Sequence, residues 1–374
     1  MKIQVAKKDL EHALKTTSVA LAKKGGLESH YIVRSRDGSV EVLTQNQQVL
    51  ASAPLICQVD GEDGSFTVEG WRLDTWLKGV EDTALTLEPS GSLVKASSPA
   101  GTVRWAGLDP SVFPFWDKGL AKAEKKATIK ASRLWAALSH TKDFIYDQES
   151  VAPHLALTEV QDGCLKATDL VAMTLVESKP LMGSNLRVHN QQVGPVLSYL
   201  SSLGDGSVDL LEYGGTLYFK GEDGSMFGVA IPLDEFPDVS VEKDEKANVS
   251  LTFKVDAIRR AMTILSTAAN RDNNKVRFLW DAGMERAELS VDSSAGDVDK
   301  VPLPVITFDD VGEFPAAGFA FSIPHLLQIL DKNPTDTIKF DLVKKKNKKG
   351  EDTGLIRFLW EAHQDTYLTA VLWL

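Results

Sequence analysis

The sequence has 374 residues, of which 43% are hydrophobic and 25% charged, and its formal net charge is −11 at pH 7. This length is ample for several domains that each bury a core. No run of about 18 apolar residues is present and the N-terminal residues carry no apolar signal core, so we expect a cytoplasmic protein without a membrane segment.

Taken in chain order, the predicted elements repeat three times, and each third holds two pairs of a short strand followed by an amphipathic helix. These segments span residues 3–14, 66–77, 128–138, 186–200, 251–262 and 319–330. The first two thirds close with a Phe-Pro pair, at 113–114 and 236–237. A repeat of roughly 120 to 130 residues is the size of a whole domain. We therefore predict three domains, over residues 1–125, 126–247 and 248–374.

The hydrophobic patterns predict the secondary structure within each repeat. In the first helix Leu10, Ala13 and Leu14 form an apolar side opposite Lys8 and Lys15. The segments between the helices alternate apolar and polar residues with the period of a strand, and Asp-Gly turns separate them. Each repeat is therefore predicted to be an α+β unit, with two helices packed on one side of antiparallel sheets.

The net negative charge argues at first against a nucleic-acid partner, but the charge is unevenly distributed. Six windows around the predicted helices hold 16 basic and 7 acidic residues, a balance of +9 that leaves −20 for the remainder. The windows are 7–24, 71–81, 130–143, 187–203, 254–271 and 323–334. Helix propensity alone favours Glu as much as Lys and Arg. The pattern thus predicts one positive surface on an acidic body.

Motifs for catalysis and for metal binding are missing from the sequence. It contains no phosphate-binding loop, zinc-protease motif, Cys-x-x-Cys pair or nucleophile elbow, and its seven histidines show no ligand spacing. Two reduced thiols, Cys57 and Cys164, are favoured over a disulfide. We expect a protein that is not an enzyme and that needs no cofactor and no metal.

The order and spacing of these elements resemble the bacterial DNA polymerase III β sliding clamp over essentially the whole chain, as a divergent member of that family. The most specific segments are Lys-Ala-Thr-Asp at 166–169, Phe-Pro-Asp at 236–238 and Ile-Leu-Ser at 264–266. The resemblance implies an α+β fold of three repeated DNA-clamp domains that form half of a closed ring. It also implies a head-to-tail homodimer with twelve helices around a central hole.

Double-stranded DNA is the first partner that the resemblance implies. A basic lining would contact phosphates without reading base edges, and the ring would be retained by topology rather than by affinity. Lys23 and Lys24 match a DNA-contacting loop of the family. The candidate DNA-binding residues are Lys8, Lys15, Lys23, Lys24, Arg72, Lys78, Lys130, Arg133, Lys142, Arg259 and Arg271.

A peptide groove between the middle and last domains is the second implied site, and a replicative DNA polymerase and a clamp loader would bind there. Its residues, carried over position by position, are Val151, Thr168, Leu170, Met173, Pro237, Leu368, Ala370 and Leu372. After Ala-Thr-Asp the family usually has Gly-His-Arg-Leu, whereas this chain has Leu-Val-Ala-Met at 170–173. An apolar patch without that polar edge would prefer different peptides, which predicts a specialised replicon such as a phage. Ordinary core packing is the alternative for Leu170, Met173 and Leu372.

Ring closure implies a dimer interface, for which the candidates are Val103, Trp105, Ile264 and Leu265. A plain core strand is the alternative for Trp105. Three functions stay open from the sequence. A homodimeric DNA sliding clamp is favoured over a clamp-fold interaction hub or decoy that binds clamp partners without encircling DNA. An α+β enzyme would need a convergent cluster of Asp, Glu or His residues, which the sequence does not offer.

Overall fold

The structure, a computed structural model, describes most of the chain. It covers residues 1–22, 25–46, 48–81, 83–113, 120–170, 172–237, 246–269, 275–281, 283–292, 298–310, 319–346, 352–363 and 366–373. At residues 310, 319, 321, 345–346, 352–354, 361–363 and 366–373 the backbone alone is described. This part of the chain divides into a first unit, Met1–Ala136 with Gln191–Leu233, and a second unit, Ala137–Asn190 with Asp234–Leu374.

The six predicted helices are all present. They are α1 (Lys7–Thr17), α2 (Gly70–Lys78), α3 (Ala131–Lys142), α4 (Asn190–Leu203), α5 (Val255–Ala268) and α6 (Ile323–Lys332). The predicted apolar side of α1, including Leu10 and Leu14, is buried. Pro324 lies in the first turn of α6, where a missing N–H costs nothing. None of the helices within the described ranges has the length and apolar character needed to span a bilayer.

The strands lie between these helices, and their recorded pairings are antiparallel. They are β1 (Lys2–Ala6), β2 (His30–Arg36), β3 (Ser39–Gln45), β4 (Val49–Pro54), β5 (Cys57–Asp60), β6 (Gly64–Glu69), β7 (Ala84–Ser90), β8 (Leu93–Ser98), β9 (Gly101–Ala106), β10 (Glu124–Lys130), β11 (Leu157–Gln161), β12 (Cys164–Thr168), β13 (Ala172–Glu177), β14 (Asn185–His189), β15 (Ser207–Tyr213), β16 (Thr216–Gly221), β17 (Met226–Ala230), β18 (Val249–Lys254), β19 (Lys275–Asp281), β20 (Arg286–Asp292), β21 (Val298–Leu303), β22 (Val305–Asp310), β23 (Phe319–Ser322), β24 (Thr337–Lys346), β25 (Asp352–His363) and β26 (Thr366–Trp373).

The first unit contains two sheets. One has five strands in the order β5-β1-β7-β8-β9, and the other has eight in the order β10-β15-β16-β17-β4-β3-β2-β6. The eight-stranded sheet is continuous between the first and middle thirds of the chain because β17 pairs with β4, from Met226 opposite Ser52 to Val229 opposite Val49.

The second unit has the same plan. Its larger sheet has nine strands in the order β14-β11-β12-β13-β26-β25-β24-β18-β22, and its smaller sheet has four in the order β21-β20-β19-β23. Here the middle and last thirds are joined where β13 pairs with β26, from Ala172 opposite Leu372 to Val176 opposite Leu368.

The strand orders repeat in each third of the chain. The set β1-β7-β8-β9 recurs as β10-β15-β16-β17 and as β18-β24-β25-β26, while β4-β3-β2-β6 recurs as β13-β12-β11-β14 and as β21-β20-β19-β23. The expected α+β fold of three repeats with two helices each is therefore confirmed. The middle repeat gives one set of strands to each unit, and the exact boundaries at 125 and 247 stay a prediction.

Aromatic residues fill the core of the second unit, where strands of its two sheets face each other. The ring of Phe340 on β24 lies 4.9 Å from that of Phe253 on β18 and 4.6 Å from that of Phe358 on β25, between centroids. Phe278 on β19 of the smaller sheet lies 5.6 Å from Phe340. All four side chains are fully buried. This packing holds the two sheets together.

Candidate functional site

Most of the predicted DNA-binding side chains project from the helices into solvent. Lys8, Lys15, Arg72, Lys78, Lys130, Arg133 and Lys142 are exposed, and Arg259 is half-buried. Lys8 and Lys15 lie on α1, Arg72 and Lys78 on α2, and Arg133 and Lys142 on α3. Lys23, Lys24 and Arg271 lie outside the described residues.

A groove between α1 and α2 brings two of these lysines together. Lys15 and Lys78 line it, and Tyr31 and Asp74 form part of its wall. Burial raises the pKa of Asp74, and burial together with the Asp74 carboxyl raises the pKa of Tyr31. The two exposed ammonium groups could contact an anionic ligand here. They share the groove with the carboxyl groups of Glu11 and Asp74, and Asp74 interacts with both Lys78 and Tyr31.

Arg72 and Arg259, two predicted DNA contacts, already make ion pairs within the protein. The Nε atom of Arg72 lies 2.7 Å from Oε2 of Glu69, and its guanidinium lies 4.9 Å from the centre of the Trp71 ring. The guanidinium of Arg259 contacts Asp331 at 2.5 Å and donates to the carbonyl of Leu330 at 2.7 Å. Both arginines are therefore less available to a ligand than the lysines of α1 and α2.

The predicted groove residues include exposed and buried side chains, all in the second unit. Val151 is 68% exposed and Leu170 58% exposed, and Pro237 is also exposed. Thr168 and Met173 are buried. For Leu368, Ala370 and Leu372 only the backbone is described, within β26 beside β13.

One buried cluster connects the segments that carry the exposed groove candidates. Ala152 and Phe236, which adjoin Val151 and Pro237 in the chain, pack in this cluster with Met173. The structure thus brings these segments together around the end of β13. An apolar peptide could bind to such a surface, because the buried Met173 packs against the segments that form it.

The turn that carries Leu170 has a contact that the sequence did not predict. Nε2 of His325 on α6 lies 2.6 Å from Oδ2 of Asp169. The two residues are 156 positions apart, and a single sequence carries no signal for such a pair. In the sequence, Asp169 stands out only as the last residue of the Lys-Ala-Thr-Asp segment.

The predicted interface residues lie at two sheet ends. Val103 is exposed on β9, the end strand of the five-stranded sheet, and Trp105 on the same strand is buried against Trp76 with ring centres 5.6 Å apart. Ile264 on α5 is 57% exposed, and its neighbour Leu265 is buried. Helix α5 packs on β21, the end strand of the four-stranded sheet. Each pair therefore combines one exposed and one buried apolar side chain.

The described residues offer no group of three His, Cys, Asp or Glu side chains that could hold a metal ion. The surfaces described above offer ammonium groups to an anionic polymer, apolar side chains to a peptide, and sheet ends to another strand.

Neither a protein-family model nor a curated protein matches the sequence. Solved structures match it over its whole length. The DNA polymerase III subunit β of Pseudomonas aeruginosa is 14% identical with a TM-score of 0.83, covering 100% of this chain and 99% of that one. The Bacillus subtilis sliding clamp is 14% identical with a TM-score of 0.83, covering 100% and 98%. The Thermotoga maritima β subunit is 17% identical with a TM-score of 0.78, covering 100% and 99%. The chain therefore has the fold of the DNA polymerase III β sliding clamps.

Proposed function

We propose that this chain is a DNA sliding clamp, a replication processivity factor that acts in the cytoplasm. Two copies would form a head-to-tail ring around duplex DNA and tether a replicative DNA polymerase, with a clamp loader as a further partner, through a peptide groove. The protein would catalyse no reaction itself. The observation that carries this proposal is the position of two end strands, β9 in the five-stranded sheet and β21 in the four-stranded sheet.

Within the chain, a strand pairing joins neighbouring repeats at two places, and equivalent strands form both joints. Strand β17 of the middle repeat pairs with β4 of the first, and β26 of the last repeat pairs with β13 of the middle. By strand order, β9 is the equivalent of β17 and β26, while β21 is the equivalent of β4 and β13. The same rule pairs β9 of one copy with β21 of a second copy.

This third joint would give a composite sheet of nine strands from the five-stranded and the four-stranded sheets. A long end strand left unpaired is a hazard that natural proteins avoid. Because the joint links the first repeat of one chain to the last repeat of the next, it is a head-to-tail contact. Two such joints close a dimer of six repeats.

The side chains near these strands support the same contact. Val103 on β9 and Ile264 beside β21 expose apolar surface, and Trp105 and Leu265 back them from the core. Apolar side chains at the centre of an interface provide much of its stability. All four are therefore proposed as residues of the dimer interface.

The exposed lysines of α1 and α2 support binding to duplex DNA without base readout. In this proposal an acidic body with net charge −11 limits DNA binding elsewhere on the surface. A modest number of basic contacts suffices because topology, not affinity, would keep the ring on DNA.

A second function is favoured by a specific observation. Arg72 and Arg259 are engaged in ion pairs, and the chain is strongly acidic, which suits a hub that binds clamp partners through the groove without encircling DNA. The hub needs the groove alone, whereas the clamp also needs closed joints at β9 and β21. Retention on circular but not on linear DNA distinguishes the clamp from the hub.

The deciding experiment measures retention on circular and on linear DNA. The protein is incubated at high concentration with nicked circular plasmid, and the mixture is gel-filtered in high salt before and after the plasmid is linearised. Retention on the circle that is lost on linearisation supports the clamp. Equal loss from both forms, together with a monomer in light scattering, supports the hub.

A matched pair of variants tests the joint. Ile264→Asp places a charge at the proposed interface on a side chain that is already exposed, so the fold should persist. Met284→Asp makes the same change at an exposed apolar residue of the same repeat, in the turn between β19 and β20 and not on an end strand. We expect Ile264→Asp to be monomeric and not retained, and Met284→Asp to behave as the unaltered protein.

A further inference from the structure

Side chains close the turn between β12 and β13. The Oγ1 hydroxyl of Thr168 donates to the carbonyl of Ala172 at 2.8 Å and accepts the N–H of Leu170 at 3.1 Å. Oδ1 of Asp169 accepts the N–H of Ala172 at 2.7 Å. Two consecutive side chains thus hold the backbone at Leu170 and at Ala172.

Leu170 has an unusual conformation within this turn. Its φ angle is +75°, in the left-handed region, and its side chain is 58% exposed. A non-glycine residue is strained there, and surrounding contacts must compensate for the strain. Core packing does not explain an exposed leucine in a strained conformation. A role at the surface does, because the strain directs an apolar side chain into solvent.

His325 connects this turn to α6. Its Nε2 atom lies 2.6 Å from Oδ2 of Asp169, so the two oxygens of this carboxylate bind the helix and the turn respectively. The other ring nitrogen of His325 is buried and has no hydrogen-bond partner among the described residues. The carboxylate also lies beside the first turn of α6, where the helix dipole favours a negative charge.

The opposite end of α6 is also anchored. Nζ of Lys332 lies 2.7 Å from the Asp143 carboxylate and donates to the carbonyl of Ser139 at 3.0 Å. Leu326 and Leu330 are buried between these ends. The helix is therefore a fixed support, and His325 connects it to the turn.

We propose that His325 is a positioning residue for peptide binding. By holding the carboxylate of Asp169, it fixes the turn and the direction in which Leu170 meets an apolar peptide. This inference rests on the proposed peptide-binding function of the same surface. It assigns to α6 a role in partner selection in addition to its place in the fold.

Hydrogen exchange tests the positioning directly. The amides of Leu170 and Ala172 donate to the side chains of Thr168 and Asp169, so their exchange rates report on the turn. We compare His325→Ala with His325→Gln, which keeps a donor near the position of Nε2. Arg277→Ala removes the ion pair between Arg277 and Asp292 on the four-stranded sheet of the same unit and is the control.

Peptide binding is measured on the same proteins with the fluorescein-labelled pentapeptide Leu-Leu-Ser-Leu-Phe. We expect His325→Ala to accelerate exchange of both amides and to weaken binding about tenfold. His325→Gln should restore both properties, and Arg277→Ala should leave both unchanged.

Unchanged exchange in His325→Ala would overturn the proposal, and so would faster exchange with unchanged peptide affinity. If the unaltered protein does not bind the peptide, the positioning role is overturned as well. Retention on circular DNA is measured independently of the groove, so it tests the ring function whether or not the peptide binds.

Discussion

Arg259 on α5 is joined to Asp331 on α6, with Nη1 of the arginine 2.5 Å from Oδ1 of the aspartate. Nη2 of the same guanidinium donates to the carbonyl of Leu330 at the end of α6. A residue that the sequence indicates as a DNA contact therefore links the two helices of the last repeat. Because its side chain is 39% exposed, the ion pair is partly screened by solvent.

Arg259→Ala is expected to lower the free energy of unfolding by about 1–2 kcal/mol, since a charged hydrogen bond to a carbonyl is lost along with a partly exposed ion pair. It should change duplex binding little. Urea unfolding and fluorescence anisotropy with a labelled duplex measure the two effects. Lys8→Ala, at an exposed position on α1, should show the opposite pattern. Lost DNA binding at full stability in Arg259→Ala would contradict this assignment.

The groove between α1 and α2 predicts how strongly duplex binding depends on salt concentration. Each phosphate contact contributes about 0.9 to the slope of log affinity against log salt concentration, so Lys15→Ala with Lys78→Ala should reduce that slope by roughly 2. Anisotropy titrations over a range of salt concentrations measure it. Lys95→Ala on β8 removes an equally basic side chain elsewhere in the first unit. An equal reduction in that control would mean that overall charge, not this groove, attracts the DNA.

Asp74 predicts a dependence of stability on pH. Burial raises the pKa of its carboxyl in the folded chain, so the folded state holds the proton more tightly than the unfolded state does. Stability therefore falls as the pH rises from the unfolded pKa through the folded pKa. Asp74→Asn removes this fall, and Tyr31 can still donate to the amide oxygen. Urea unfolding between about pH 3 and pH 7 should show that the variant gains stability relative to the unaltered protein as the pH rises. A stability difference that does not change with pH would refute the explanation.

Phe340 is the centre of the aromatic core of the second unit. Phe340→Ala should lower the free energy of unfolding by about 3–5 kcal/mol, because a large buried ring is replaced by a cavity. Phe308→Ala, at a partly exposed ring of the same unit, should cost far less. Thermal or urea unfolding of both variants decides the point. Similar losses in both would mean that burial does not control their contribution.

The repeats and helices were predictable from the sequence because their signals are local. The apolar period that predicts α1 and α5 is complete within a few turns of each helix. The sheet joints were not predictable, because β4 and β17 are distant in the chain. Most residues of β4 are buried, so its pattern does not distinguish a central strand from an end strand.

The candidate sites, too, were predictable only where their signals are local in the sequence. Amphipathic spacing correctly indicates that Lys8 and Lys15 are exposed. It could not indicate that Arg259 pairs with Asp331, or that His325 reaches Asp169, because these contacts depend on how distant segments pack. The residues that the sequence misses are thus the ones whose partners lie in another element.

Leu170→Gly tests the apolar side chain at the turn. Glycine adopts a φ of +75° without strain, which should recover about 1–2 kcal/mol, while its greater freedom in the unfolded chain costs about 1 kcal/mol. We therefore expect stability to change little. Binding of Leu-Leu-Ser-Leu-Phe should weaken about tenfold, since an apolar contact is lost.

The choice between peptides shows whether Leu170 determines specificity. A surface without a polar edge should favour Leu-Leu-Ser-Leu-Phe over Gln-Leu-Ser-Leu-Phe, and Leu170→Gly should reduce that preference because the apolar contact is removed. Leu233→Gly, at a leucine that is 95% exposed, controls for the loss of any surface leucine. Competition in fluorescence anisotropy measures both affinities for each protein. An unchanged preference in Leu170→Gly would place the specificity of the groove elsewhere, and the strained turn would then serve only to connect β12 with β13.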